Sequence, residues 1–264
     1  MSDVIEDRQK AIKRHDIDSG IFQGRYVNFE QGKYTDPFIY GRYMLFEEVM
    51  EDLQKLPAGA KILDLGCGTG HLSEMIKKKG FEVYGVEPSL EMLKHARENF
   101  PDIKFEEGIS VKIPFADNYF DYVVCIEVLR YLNPDDVKKT YTEVNRVLKP
   151  GGCFHVTHVN FWANDCYFIF YKLDKWFKSM RGQKFYHYGY FTTPRREEQT
   201  ALAAGCSKVT SVGRLWGPVR IYYKFGKAIG RGLTKFIELF GVKQKYNSWP
   251  LKGLAGHLII RAYK

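Results

Sequence analysis

Apolar side chains recur at three- and four-residue steps between residues 36 and 56, through Met44, Leu45, Val49, Met50 and Leu53. Asp36-Pro37 ahead of them has the form of an N-cap and a first-turn proline, so the spacing predicts a helix. From residue 61 the period shortens and alternates. KILDL (61–65) predicts a strand, GHLSEMIKKKG (70–80) a helix closed by Gly80, EVYGVE (82–87) a strand and SLEMLKHAREN (89–99) a helix. IKFEEG (103–108) and FDYVVCIE (120–127) predict two further strands. Asn133-Pro134-Asp135-Asp136 opens a helix over 134–148, Lys149-Pro150-Gly151-Gly152 closes it, and CFHVTHV (153–159) follows as a strand. Strands alternating with helices over short connections imply an α/β fold: a mostly parallel, doubly wound sheet covered on both faces.

Beyond Val159 the pattern loosens. Residues 160–191 are crowded with aromatics, and Thr193-Pro194 starts a short helix to Ala204. KVTSVGRL (208–215) and GHLIIRAYK (256–264) read as the last two strands, joined by an insertion and not by a hairpin turn. Within it, Phe225, Ile229, Leu233, Phe236 and Phe240 form one stripe and Lys224, Lys227, Arg231 and Lys235 another. Residues 219–241 therefore suit either an anionic membrane surface or a roof packed on the body. YFIFYKLDKWFKSM (167–180) has similar character. We divide the single domain, 1–264, into an N-terminal helical lid (1–56), a core (57–160), acceptor-side additions (161–204 and 214–253) and the last strands (205–213 and 254–264).

Charge sharpens this division. The formal net charge is +9, yet residues 213–264 alone carry eleven Lys/Arg against Glu238, which leaves the rest near neutral. An anionic partner for that end is expected. The five cysteines lie far apart, without the spacing of zinc ligands or a disulfide framework, so no metal is expected and a reducing, cytoplasmic setting is. That setting leaves room for peripheral attachment at the inner face of a membrane.

The chemistry concentrates at KILDLGCGTGHL. Gly66 and Gly68 let the backbone turn sharply beside a ligand, but His71 stands where a dinucleotide fingerprint needs its third glycine. Asp64, two residues before Gly66, would repel a pyrophosphate and attract a cation. Glu87 ends the second strand, placed to take both hydroxyls of a ribose. A nucleoside without phosphates, joined to a cationic amino acid, meets these demands; S-adenosylmethionine is such a molecule. The bland alternative is a tight structural turn.

Residues 60–160 resemble the class I S-adenosylmethionine-dependent methyltransferases, and within them the small-molecule branch that includes the quinone-biosynthesis C-methyltransferases. The motifs, in order and register, are ILDLGCGTG, VYGVEPSLEML, IPFADNYFDYVVCIEVLRYL and EVNRVLKPGG. The resemblance implies a Rossmann-like, seven-stranded methyltransferase fold with S-adenosylmethionine as cofactor. It assigns the methionine end to Asp64 and the turn Gly66, Cys67, Gly68 and Gly70, the ribose to Glu87, and the adenosine to Pro88 and Met92. Where the family usually presents an aspartate to adenine, this chain has Ile109, followed by Ser110. Arg42 resembles a basic residue that some members set against the methionine carboxylate; an exposed helix arginine is the alternative.

Methyl transfer from a sulfonium needs positioning above all, and a base only when the acceptor must lose a proton. Glu127 and His158 are the catalytic candidates, although a histidine at a strand end is as readily a hydrogen-bonded core residue. Arg130, Tyr131, His187, Tyr188 and Tyr190 are further acceptor-side candidates, and Tyr26 and Tyr34 suit a lid or plain packing. The expected acceptor is small, or lipid- or glycan-linked. An RNA substrate is the alternative suggested by the basic end, and Cys125-Ile126-Glu127-Val128 argues against it because base-modifying relatives often carry Asn/Asp-Pro-Pro-aromatic there. A binding module without catalysis is the other alternative.

Overall fold

The computed structural model describes residues 2–30, 37–164, 166–182, 189–215, 222–237 and 249–264. Tyr34, His187, Tyr188 and the outer parts of the 219–241 segment lie outside the described residues. Two helices, α1 (Ser2–Glu30) and α2 (Pro37–Leu53), precede the sheet. The core then runs β1 (Lys61–Leu65), α3 (His71–Lys77), β2 (Glu82–Glu87), α4 (Leu90–Asn99), β3 (Lys104–Glu107), β4 (Phe120–Cys125), α5 (Pro134–Val147) and β5 (Leu148–Asn160). After it come α6 (Tyr167–Met180), β6 (Phe191–Thr192), α7 (Pro194–Ala203), β7 (Lys208–Arg214), α8 (Lys227–Ile237), α9 (Leu251–Leu254) and β8 (His257–Tyr263).

The strands lie in the order β3-β2-β1-β4-β5-β8-β7. All neighbours are parallel except β8, which runs antiparallel between β5 and β7. The expected seven strands gain an eighth, because Phe191–Thr192 pairs with Val159–Asn160. β8 already occupies the other edge of β5 there, so β6 sits beyond the tip of β4. Direction of winding reverses between β1 and β4, leaving a crevice at their carboxyl ends.

Side chains on β1 and β4 alternate between two cores, as a pleated strand requires. Leu63, Leu65, Val123 and Cys125 pack with α5 through Val137, Tyr141, Val144 and Val147. Ile62, Tyr122 and Val124 pack with α2, α3 and α4 on the other face. Local signals hold at the helix starts. Asn133 Oδ1 accepts from the backbone N–H groups of Asp135 and Asp136, and Ser89 and Thr193 cap α4 and α7. One boundary moves: the strand expected from 153 begins at Leu148, because Lys149–Gly152 enter the sheet as a register shift opposite Phe120 and Tyr122. A Cβ on Gly152 would stand 2.9 Å from the Lys149 carbonyl, so this bulge needs glycine.

A buried ionic cluster ties α2 to the last strands. Arg261 bridges Asp52 and Glu48, Arg214 pairs with Glu48, and His155 Nδ1 lies 2.9 Å from Asp52. Burial would raise Asp52, but the hydrogen bonds and charges of His155 and Arg261 hold it well below the usual carboxylate range. His155 is thus a core residue.

Candidate functional site

The crevice is a cavity of about 1130 Å³, continuous with solvent, bounded by the carboxyl ends of β1, β2 and β4 and by α1 and α2. β1 delivers Asp64 and then turns through Gly66 (φ 78°), Gly68 (φ 54°) and Gly70 (φ 84°) into α3. At Gly66 the requirement is doubled: a Cβ would stand 2.2 Å from Val128 Cγ2, in a left-handed backbone that L side chains avoid. Gly70 differs from the other two. It does not line the cavity; a Cβ there would meet Phe105, Phe100 and Ala96, so Gly70 seats α3 against α4 and β3 instead of touching a ligand.

Two of the three buried carboxylates that line this pocket flank the glycine turn. Asp64 accepts a 2.6 Å hydrogen bond from Ser73 Oγ. Burial lifts its pKa to about 6, against the opposing effects of Ser73 and the nearby Arg42 charge. Glu87 accepts one backbone N–H on each oxygen, from Gly68 at 3.0 Å and Ser89 at 3.1 Å. Burial raises it to about 7, with the Asp64 charge adding to the rise and the two N–H groups opposing it. Each Glu87 oxygen retains a second lone pair, so the carboxylate remains able to accept two hydroxyls. Burial makes the ionised form of both acids costly, a cost that a cation or hydroxyl donors would relieve. The residues therefore fit S-adenosylmethionine: its positive methionine end toward Asp64 and its ribose toward Glu87.

The other expected contacts fall into place unevenly. Cys67, Pro88, Met92, Ile109 and Ser110 all line the cavity. Ser110 Oγ is engaged with Thr140 Oγ1 at 2.9 Å, which orients that hydroxyl away from a simple adenine donor role. Arg42 is no exposed helix arginine; it lines the cavity and donates to the Ile126 carbonyl at 3.2 Å. Helix α1 contributes more than a tyrosine. Ala11, Ile12, His15, Phe22 and Tyr26 cover the opening, Tyr26 stacks on His71 at 4.7 Å, and Asp16 takes a hydrogen bond from Ser89. Desolvation lowers His71 to about 4, so the stack is made by a neutral imidazole.

On the acceptor side the two catalytic candidates separate. Glu127 lines the cavity in a left-handed conformation (φ 62°), its N–H donating to Thr157 Oγ1. Arg130 donates to its Oε2 at 2.6 Å, and His257 Nε2 stands 3.0 Å from Oε1. Burial would raise Glu127, but His257, Arg130 and Arg42 outweigh it and hold the carboxyl well below its usual range. His158 does not reach the cavity. It is buried on the opposite face of the sheet, 3.1 Å from the Tyr141 hydroxyl and 3.3 Å from Glu197. Desolvation lowers its pKa, which leaves a neutral, hydrogen-bonded core histidine. Tyr190 belongs to that same cluster, donating to Glu197. His257 was not legible as a site residue, since it opens a strand 130 positions after Glu127 and only the antiparallel pairing of β8 with β5 brings them together.

Comparison with known proteins agrees with this geometry. Residues 62–152 match the family model of a methyltransferase domain. The demethylmenaquinone methyltransferase of Chlorobaculum parvum is 44% identical over 97 residues, 36% of this chain and 39% of that protein. Its counterpart in Renibacterium salmoninarum is 37% identical over 118 residues, 45% of this chain and 49% of that one. The matches thus span less than half the length of these relatives. Among solved structures, Haemonchus contortus phosphoethanolamine N-methyltransferase 2 in complex with S-adenosyl-L-methionine shares the fold, with a TM-score of 0.56 at 18% identity over 83% of this chain and 52% of that one. Matching motifs, strand order and the acid-lined glycine turn agree: residues 62–152 are a methyltransferase domain of the class I S-adenosylmethionine-dependent kind.

Proposed function

We propose that this chain transfers a methyl group from S-adenosylmethionine to a small or lipid-linked acceptor with a largely apolar body. The observation that carries the proposal is the pair of buried acids, Asp64 and Glu87, raised by desolvation around a glycine turn. When bound, the cofactor supplies an electrophilic methyl on a sulfonium. The chain's own residues bind, orient and exclude water. Asp64 faces positive charge, Glu87 accepts ribose hydroxyls, and α1 covers the opening as a lid.

Glu127 is the acceptor-side group. A carboxylate held so far down is a weak base. Its role in this proposal is to accept a hydrogen bond from the acceptor and fix its pose, with Arg130 and His257 holding the carboxylate in place. The names of the quinone-modifying relatives support a small acceptor, and the aromatic segment 160–191 supports an apolar one.

The test has two steps. Calorimetry with S-adenosylhomocysteine should give saturable binding, and none would remove the enzyme reading altogether. Incubation with methyl-labelled cofactor and fractionated extract, lipids included, should then label a low-molecular-mass or lipid fraction. Label confined to RNA would overturn the acceptor class.

A further inference from the structure

Helix α6 carries an apolar face that nothing described covers. Trp176, Ile169, Met180, Leu173, Phe177 and Phe170 are between 45% and 67% exposed. At 100° per residue they fall, in that order, within an arc of about 120°. The opposite side of the helix is the one that packs: Tyr167, Phe168 and Tyr171 all meet the Phe191 ring. No side chain of α6 is buried. Soluble proteins rarely expose so continuous an apolar stripe without using it.

A second helix repeats the arrangement. On α8 the exposed Ile229, Leu233 and Phe236 share one side, with Lys227 and Arg231 on the other. Gly226 (φ 112°) breaks the chain ahead of α8 and leaves Phe225 exposed at the break. Trp162 and Trp249 are exposed as well, and tryptophan is the side chain favoured at a membrane–water interface.

Topology puts these pieces at one end of the molecule. β5 and β7 are parallel, so the chain leaves both at the carboxyl end of the sheet, and α6 and α8 depart from there. α9 returns to the same end and enters β8 at His257 beside Glu127. This is the end at which the cavity lies. The charge is one-sided too: α6 and its C-cap carry Lys172, Lys175, Lys178 and Arg181 against Asp174, and residues 213–264 carry eleven bases against one acid.

We infer that the apolar faces of α6 and α8 form a docking surface for an anionic lipid bilayer. Each face is an exposed apolar stripe on a single helix with basic side chains beside it, the form in which helices lie in a bilayer interface. The basic side chains beside them complement anionic headgroups. Among the described residues no helix is long and apolar enough to cross a membrane, so the contact is peripheral. Docking would bring the cavity's end of the sheet to the lipid, but the inference stands apart from methyl transfer, since it rests on surface residues alone.

The experiment is flotation of the full chain with phosphatidylcholine vesicles, with and without phosphatidylglycerol. Binding is expected with the anionic vesicles, weakened by salt, and with a blue shift in tryptophan emission. The double variant Trp176→Ser/Phe177→Ser should bind those vesicles about tenfold more weakly or less. Its circular dichroism and S-adenosylhomocysteine affinity should be unchanged. Leu202→Ser, an exposed apolar site on α7 at the other end of the sheet, should float like the parent. No flotation with either vesicle, or equal flotation of parent and double variant, would overturn the inference. So would a concentration-dependent dimer that the double variant abolishes without any vesicle binding, which would make this face a contact between copies.

Discussion

Replacing Asp64 by asparagine should strengthen the ligand-free protein and weaken its grip on the cofactor. Asp64 is almost fully buried, and its pKa rises from an ordinary 3.8 to about 6 on folding. A raised acid stabilises the fold at low pH, and that contribution is lost as pH rises from the unfolded value through the folded one. Above pH ~6 the ionised carboxylate therefore costs roughly 2–3 kcal/mol. Asparagine keeps an acceptor for Ser73 Oγ and removes the charge. Urea unfolding of the two ligand-free proteins should show Asp64→Asn more stable by up to roughly 2 kcal/mol at pH 8, with the difference shrinking toward pH 4. Calorimetry should show the reverse for S-adenosylmethionine, with affinity lower by about tenfold or more once the fixed charge is gone. A variant less stable than the parent at pH 8 would refute the desolvation argument. Unchanged affinity would refute the placement of positive charge beside Asp64.

Gly66→Ala should lose roughly 1–2 kcal/mol to its left-handed backbone and more to the clash with Val128; thermal unfolding should show Val128→Ala recovering only the clash. Arg261→Ala should cost up to about 3–5 kcal/mol by removing the partner shared by Asp52 and Glu48, which keep His155 and Arg214, and denaturant midpoints should show it. The depressed Asp52 contributes stability above pH ~4 that fades as pH falls toward its folded value, so acid unfolding of this variant should show a smaller component of this kind, the part owed to His155 remaining. Glu127→Gln should leave S-adenosylhomocysteine affinity within about threefold while turnover of an identified acceptor falls, measured as a split between binding and kcat. His158→Asn should lower the melting temperature and leave kcat unchanged, because His158 contacts Tyr141 and Glu197 rather than the cavity.

The strand-helix alternation, the caps at Ser89, Asn133 and Thr193, and the acids flanking the glycine turn were legible because each depends on neighbours close in sequence. Gly66 and Gly70 look alike in that turn, yet one faces the cavity and the other packs α3, a difference set by Phe105 and Phe100 across the sheet. The interior strand position of His155 marks it as a core residue, but nothing local separates a core His158 from a base; its partners Tyr141 and Glu197 lie 17 and 39 positions away.

By itself, then, the sequence determined the local conformations and the ligand chemistry of the turn between β1 and α3, since backbone preference and charge spacing act over a few residues. Only the tertiary structure decided which histidine stands beside Glu127. It paired β8 with β5 and so set His257 against Glu127, while the same strand β5 turned His158 into the core. It also decided which aromatics of 160–191 are exposed: the contacts of Phe191 select one side of α6 for packing and leave the other to its surroundings. Strand pairing and helix docking join residues far apart in the chain, and no local pattern encodes which of two faces they will cover.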